Sequence, residues 1–360
     1  MKTAPHPSTF LDNNIIEKIR EVSFEAETLK QLHPDQLELI FQQKLLKLFV
    51  PKKFGGLELN LLETLQVEEG LAYADGSIAW VVTLCAGAAW FVGFLDEQLV
   101  QEIFEDEKIF FAGSGMSTGT AEMIGDNFRL NGYWKYASGA LHATIFTANF
   151  LIQENGKQLF DFNGNPMVRA FVLKRNEVTL HQTWNNMGMI ATGTNSFEVK
   201  DIIVPKNRIF EIDSTKTTIN HPIFRYPFLQ LAETTLAVNL SGMAWRFIDL
   251  SEKILVDKKQ THTLKKIEVV QTQLSKYRNE FYQAVDNSWK SCVNKNSISK
   301  SDLQKVSKAS HALAKASRQI VDELYPYCGL AAANTKEEIN RIWRNLHTAS
   351  QHKLFTSVLR

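Results

Sequence analysis

Residues Trp184–Arg208 read WNNMGMIATGTNSFEVKDIIVPKNR, and the reading of this stretch decides the fold. A Trp, a flexible Gly-Met pair and a Thr-Gly-Thr-Asn turn stand directly ahead of a run that alternates apolar and polar residues. Between Ser196 and Val204, the residues Phe197, Val199, Ile202 and Val204 can face a core while Glu198, Lys200 and Asp201 face outward. The phase changes near Asp201-Ile202, which predicts a β-bulge. A half-buried antiparallel strand that ends at Pro205 is the reading of the residues alone.

Working outward, period-two runs recur at Phe128–Tyr136, Ala148–Gln153 and Val168–Leu173, each bounded by Gly, Asn or Asp turns. Upstream, from Phe10 to about Phe111, the pattern is helical: Leu11, Ile15, Ile16 and Ile19 share one face, and Pro34-Asp35 opens a second helix. Asp75 and Ser77 can start a further helix at a Gly break, and the apolar run Ile78–Leu95 reads as a buried helix. Downstream of His221-Pro222 two long helices follow, with Ala232–Ile254 and Leu264–Ala284 keeping spacings of three and four. A linker over Cys292–Lys300, a capping box at Ser301-Asp302-Leu303-Gln304, a third helix stopped by Gly329 and a fourth from about Thr335 complete the chain. Helices, then strands, then helices define an α+β chain. We expect an N-terminal helical domain over 1–111, a middle antiparallel β-barrel domain over 112–222 and a C-terminal four-helix bundle over 223–360.

Composition narrows the function. The 360 residues are 44% hydrophobic, enough for a large core, and the formal net charge is +1 without a long run of one sign, so neither nucleic acid nor an anionic membrane is an expected partner. Cys85, Cys292 and Cys328 are widely separated and form no CxxC pair, which fits a reducing, cytoplasmic setting. The N-terminus has no signal-peptide core. No Gly-x-Gly-x-x-Gly follows a strand, which disfavours a nicotinamide dehydrogenase of the Rossmann class.

Three further stretches can carry chemistry. Asn131–Ala143, NGYWKYASGALHA, places Trp134, Ser138 and His142 on a strand and the turn after it; an ordinary turn and a core aromatic are the plain reading. Gly113-Ser114-Gly115-Met116-Ser117 can offer backbone N–H groups and hydroxyls to a phosphate or a flavin pyrimidine. Arg341, Asn345, Thr348 and His352 follow one another at helical spacings and form a polar row, which alone reads as a solvated face.

Taken in order, the 184–208 stretch, NGYWKYASGALHA, LQVEEGLAYADGSIAW at Leu65–Trp80 and RIWRNLHTASQH at Arg341–His352 resemble the acyl-CoA dehydrogenase superfamily. The C-terminal stretch resembles most closely the branch of flavin-dependent monooxygenases that serve as oxygenase components of two-component systems. That resemblance implies FMN or FAD, delivered reduced by a separate flavin reductase, and hydroxylation of a small, aromatic substrate such as a phenol. It assigns Ser138 as a donor to flavin N5, Trp134, Trp184, Thr192 and Thr194 to the flavin surroundings, and His352 to the substrate as general base or orienting group; Ser114, in the Gly-rich run, is a further candidate for binding the flavin. It also implies a homodimer or homotetramer.

Two alternatives stay open. An acyl-CoA dehydrogenase needs a carboxylate base. Lys353 follows His352 where one is usual, and Glu233 lies one residue out of register with the other family position. The dehydrogenase Arg-x-x-Phe-Gly element is replaced near 258–264 by DKKQTHTL. A non-catalytic relative with the same fold is the farther alternative.

Overall fold

The computed structural model describes residues 4–259, 261–295 and 297–356. Six helices come first: α1 (Asn13–Glu21), α2 (Ser23–Leu29), α3 (Pro34–Gln42), α4 (Leu61–Ala74), α5 (Gly76–Ala89) and α6 (Glu97–Phe104). Asp75 separates α4 from α5 and caps the latter, its Oδ1 accepting from the amides of Ser77 and Ile78 at 2.9 and 3.3 Å. Helix α5 is apolar on nearly every side and is buried accordingly. The apolar run Gly76–Phe94, long enough to cross a membrane, is thus core.

Eight strands follow: β1 (Phe111–Ile124), β2 (Asn127–Ala137), β3 (Ile145–Glu154), β4 (Lys157–Gln158), β5 (Val168–Lys174), β6 (Thr179–His181), β7 (Asn195–Pro205) and β8 (Ile209–Phe210). They pair in the order β6-β7-β2-β1-β3-β5-β8, with β4 on β3. Two features differ from the expected antiparallel barrel. Strand β1 runs parallel to β3, and the path is open, with β6 and β8 at its ends. Strand β2 runs back along β1 and ends near its start, and the 138–144 turn delivers β3 to the other edge of β1 at that same end, with the Ile145 amide on the Phe110 carbonyl, so β3 runs parallel to β1. The bulge read from the sequence is present: Asp201 has φ +51°, and pairing slips from Leu130↔Ile202 to Gly132↔Val199.

The C-terminal helices are α7 (Phe228–Asp257), α8 (Thr261–Lys295), α9 (Lys300–Cys328), α10 (Leu330–Ala333), α11 (Glu338–Ala349) and α12 (Lys353–Thr356). The expected linker is shorter, because α8 continues through Cys292 to Lys295. The cap is Ser299, whose Oγ accepts from the Asp302 amide at 3.1 Å, two residues before the expected capping box. Helix α7 is the spine, packed by α8, α9 and α11 and by α4 and α5 from the N-terminal part. At Gly242 a Cβ would lie 2.4 Å from the Glu69 carbonyl oxygen, so α4 and α7 touch backbone to backbone there. Of the 258–264 stretch, Gln260 lies outside the described residues.

Candidate active site

At the end of β2 the chain turns at Ser138-Gly139, and the turn before β7 carries Thr192-Gly193-Thr194. A backbone hydrogen bond from the Gly139 amide to the Thr192 carbonyl, 2.9 Å, joins the two turns. Their side chains then form a line: Ser138 Oγ is 2.8 Å from Thr194 Oγ1, Thr194 Oγ1 is 2.6 Å from Thr192 Oγ1, and Thr192 Oγ1 donates to the Met189 carbonyl oxygen at 2.6 Å. All three residues are buried. Three of the sequence-selected residues are therefore brought together, and their bonding has a direction. A carbonyl can only accept, and each hydroxyl has one proton. Thr192 gives its proton to Met189, so Thr194 gives its own to Thr192 and Ser138 donates to Thr194.

Trp134, expected beside the flavin, points into the sheet. The ring is fully buried inside the sheet, stacked on Phe197 at 5.1 Å, and its N–H is spent on the carbonyls of Met116 and Asn149 at 2.9 and 3.3 Å. The inward alternation of β2 forces this, since Trp134 faces the same side as Leu130 and Phe128. The exposed aromatic beside Ser138 is Tyr136, missed by the sequence reading. It sits in a second bulge, between the Trp134↔Phe197 and Ala137↔Asn195 pairs, with φ +69° and a 62% exposed side chain. The Trp184 ring meets it edge-on at 6.4 Å, with its N–H donated to the Met189 carbonyl at 2.8 Å.

Ser114 belongs to β1 itself. Pairing of β1 with β3 breaks between Ser114 and Gly119, and residues 115–118 bulge outward and are exposed. Trp134 Nε1 holds the Met116 carbonyl and the Thr118 hydroxyl holds the Tyr133 carbonyl, so this bulge lies against the part of β2 that leads to Tyr136 and Ser138.

The polar row of the C-terminal helix turns inward. Arg341 is buried against the Asp75 carboxylate at 3.3 Å, and the Asn345 carbonyl oxygen accepts the Met189 amide at 2.6 Å. Gly188 makes the docking possible: a Cβ there would fall 2.0 Å from the Arg344 carbonyl oxygen. Asn345 thus serves as an acceptor for a backbone N–H. His352 lies edge-on to Trp80 of α5 at 5.9 Å, and burial pushes its pKa below the ordinary histidine value. The Leu354 amide approaches its Nδ1 at 3.4 Å, which places the proton of the neutral ring on Nε2. Helix α5 is common to both halves of the site, since Cys85 Sγ lies 3.7 Å from the Ser138 carbonyl oxygen. Trp80 and Cys85 are separated by about 7.5 Å of helix axis.

Glu233 is placed elsewhere. It is buried between α7 and α9, where the Ser307 hydroxyl donates to Oε2 at 2.5 Å and His311 Nε2 stands 3.2 Å from Oε1. Both oxygens face neighbours within the bundle. His142 ends the turn with its Nε2 buried and without a hydrogen-bond partner among the described residues, and burial lowers its pKa to about 4.

With this geometry in place, the class is defined: the chain has the acyl-CoA dehydrogenase-like fold, and residues 227–357 match the family described as "Acyl-CoA dehydrogenase, C-terminal domain". Its homologues are oxygenase components of flavin-dependent two-component monooxygenases. The chain is 24% identical to an indole-3-acetate monooxygenase of Acinetobacter baumannii over 94% of its own length and 88% of the relative's. Its fold superposes on the crystal structure of the HsaA monooxygenase from M. tuberculosis with a TM-score of 0.88 at 20% identity, covering 97% and 93% of the two chains. It superposes on XiaF from Streptomyces sp., in complex with FADH2 and glycerol, with a TM-score of 0.84 at 20% identity, covering 97% and 93%.

Proposed function

We propose that this protein is the oxygenase component of a two-component monooxygenase, which takes reduced FMN or FAD from a separate flavin reductase and hydroxylates a small aromatic substrate. The observation that carries the reading is the buried hydroxyl line Ser138–Thr194–Thr192 beside the exposed ring of Tyr136 and the half-buried ring of Trp184, with His352 packed against Trp80 of α5, the helix that also reaches Ser138 through Cys85. These residues fit a flavin. Ser138 Oγ retains lone pairs for a ring N–H, Tyr136 offers a face to the tricyclic ring, and the β1 bulge at 115–118 leaves amides outside the β3 ladder. The carboxylate that a dehydrogenase would need is not offered, because Glu233 is occupied by Ser307 and His311.

When bound, reduced flavin supplies the two electrons with which one atom of O2 is transferred and the other leaves as water. This chain's own residues then have three tasks. Tyr136 and Trp184 cover the ring and keep water away from it. Ser138 holds the ring N–H at a fixed atom. His352, neutral and with its proton on Nε2, donates to a phenolic or carboxylate oxygen and orients the substrate carbon that is to be oxidised. Self-association into a dimer or tetramer and a cytoplasmic location belong to the same reading.

The test mixes the protein with anaerobically reduced FMN or FAD, admits oxygen in the presence of a panel of phenols and indoles, and measures hydroxylated product against released hydrogen peroxide. Product from wild type, loss of product in His352→Ala and a shift from product to peroxide in Ser138→Ala are expected. Reoxidation at the rate of free flavin, with peroxide as the sole product across the panel, would sink the proposal; bleaching of oxidised FAD by an acyl-CoA under anaerobic conditions would then put the dehydrogenase in its place.

A further inference from the structure

We propose that the open space over Gly87 of α5 is the far end of the substrate site, and that Gly87 sets how long an aromatic substrate this protein accepts. The inference rests on the hydroxylase reading above and extends it: the substrate carries an apolar arm, a second ring or an alkyl chain, away from the oxygen held by His352. Helix α5 is buried on nearly every side, and between Gly76 and Phe94 the residues that are not buried are Leu84, Gly87 and Phe91. At roughly 100° per residue, Leu84 and Gly87 fall within about 40° of Trp80, the residue that meets His352. Phe91, in the 3-10 turn Trp90–Phe94 that continues α5, extends the row. Its ring lies 5.2 Å from Phe210 of β8 and 5.6 Å from Phe228 at the start of α7, and Phe228 is 38% exposed. One face of α5 therefore leads from His352 to a partly exposed aromatic mouth, and the row is apolar throughout.

The glycine itself points to a ligand. Gly70, Gly76 and Gly242 also lie in helices, and each is needed: a Cβ would come within 2.9 Å of Leu11, 2.4 Å of Met243 Sδ and 2.4 Å of the Glu69 carbonyl oxygen. At Gly87, outside its own helix backbone and chain neighbours, no atom lies within 4 Å of where a Cβ would be. The backbone is helical there, so alanine would fit, would favour the helix and would fill part of the space. Nothing in the packing of the fold asks for the smallest residue, and a local rule broken without gain to the fold marks a place that function uses. Distance decides what fits. Gly87 lies about two helical turns, roughly 10 Å of axis, beyond Trp80. Helical side chains lean towards the N-terminus, so the Trp80 ring that meets His352 is farther still. A single ring held at His352 ends short of Gly87, and an apolar arm on that ring reaches it.

A series of 4-alkylphenols, from methyl to hexyl, tests this in wild type, Gly87→Ala and Gly87→Leu. Calorimetric titration gives each dissociation constant without turnover, hydroxylated product is measured with reduced flavin and oxygen, and thermal melting reports the fold. In wild type each added methylene should tighten binding by roughly threefold to fourfold. Gly87→Leu should weaken the longer members by roughly tenfold or more relative to 4-methylphenol. Gly87→Ala should do so to a smaller degree while its melting temperature rises by roughly 1–2 °C. Affinity that does not grow with chain length in wild type, or a Gly87→Leu series that keeps the wild-type gain per methylene, would overturn this inference alone, because conversion of 4-methylphenol would still support the hydroxylase reading. A fall in melting temperature in Gly87→Ala would mean that the space is filled in solution and would overturn it as well. Failure of wild type to convert any member would overturn the hydroxylase reading for phenols and the inference together.

Discussion

Around Glu69 and around Ser138 the molecule buries polar groups in two different ways. Glu69 accepts from Arg278 through Nε and Nη2 at 2.7 and 2.8 Å, from the Ser241 hydroxyl at 2.6 Å and from the Tyr282 hydroxyl at 2.7 Å, and Arg278 Nη2 also reaches the Pro5 carbonyl at 2.9 Å. Donors and acceptors from α4, α7, α8 and the N-terminal segment meet there and close on one another. The Ser138 line has one direction and ends in an oxygen with lone pairs to spare, beside an exposed tyrosine at φ +69° and a buried His142 nitrogen without a partner among the described residues. Burial penalises a polar group that is not satisfied, so the closed cluster serves the fold, and the open one fits the proposed flavin site, where a ligand would complete the bonding. Even Glu68, next to the closed cluster, obeys this economy of charge: burial raises its pKa well above the carboxylate range, which keeps a second charge out of the α4 core.

The largest effect tests the closed side. Glu69→Ala strands the buried Arg278 guanidinium and should cost about 3–5 kcal/mol in urea unfolding, whereas the double replacement Glu69→Met with Arg278→Met should recover most of that loss. Flavin binding by the folded fraction should be unchanged. A loss under 1 kcal/mol, taken as a rough threshold for a solvated pair, would place Glu69 outside the core network and break the contrast.

An intermediate effect reads the open side through pH. His142 is held neutral by burial, its pKa falling from 6.5 to about 4. The unfolded chain takes up a proton in that window that the folded chain does not, so the stability present above pH 6.5 is lost as the pH falls toward 4, by at most about 3 kcal/mol. The drop in melting temperature between pH 7 and pH 4.5 should therefore be smaller in His142→Leu than in wild type. Equal drops in the two proteins would mean that the nitrogen has a partner in solution.

Which of these features was legible in the sequence follows from their range. The bulge at Asp201, the helix starting at Asp75 and the stop at Gly329 depend on a few neighbouring residues, and local pattern predicts them. Ser138, Thr192 and Thr194 were selected by resemblance, and the structure places their hydroxyls in one line. The polar row Arg341–His352 could not be told from a solvated face by spacing, because its partners Asp75, Met189 and Trp80 lie far away in the chain. Trp134 and Tyr136 were exchanged for a different reason. Trp134 follows the alternation of β2 inward, the bulge after it turns Tyr136 outward, and nothing in NGYWKYASG marks where that extra residue sits. The parallel β1–β3 pair was hidden as well, since Gly113–Ser117 carries no period-two apolar alternation and yet lies in a strand that bulges.

The smallest effect on stability separates the two regions most sharply. Tyr136 holds a left-handed backbone that costs an L-residue about 1–2 kcal/mol, and Gly would adopt it freely while losing about 0.5–1 kcal/mol to unfolded-chain entropy. The two terms nearly cancel, and the 62% exposed ring has little burial to lose. Tyr136→Gly should therefore unfold within about 1 kcal/mol of wild type. Its reduced-flavin affinity should nevertheless fall by roughly tenfold, the loss of one aromatic face from the ring. If melting and flavin affinity fell together, the strained tyrosine would be part of the packing of β2, and the open cluster would lose its claim to be built for a ligand. If affinity fell alone, strain tolerated at Tyr136 and a proton committed at Ser138 would be two parts of one preformed surface, absent around Glu69 because nothing needs to bind there.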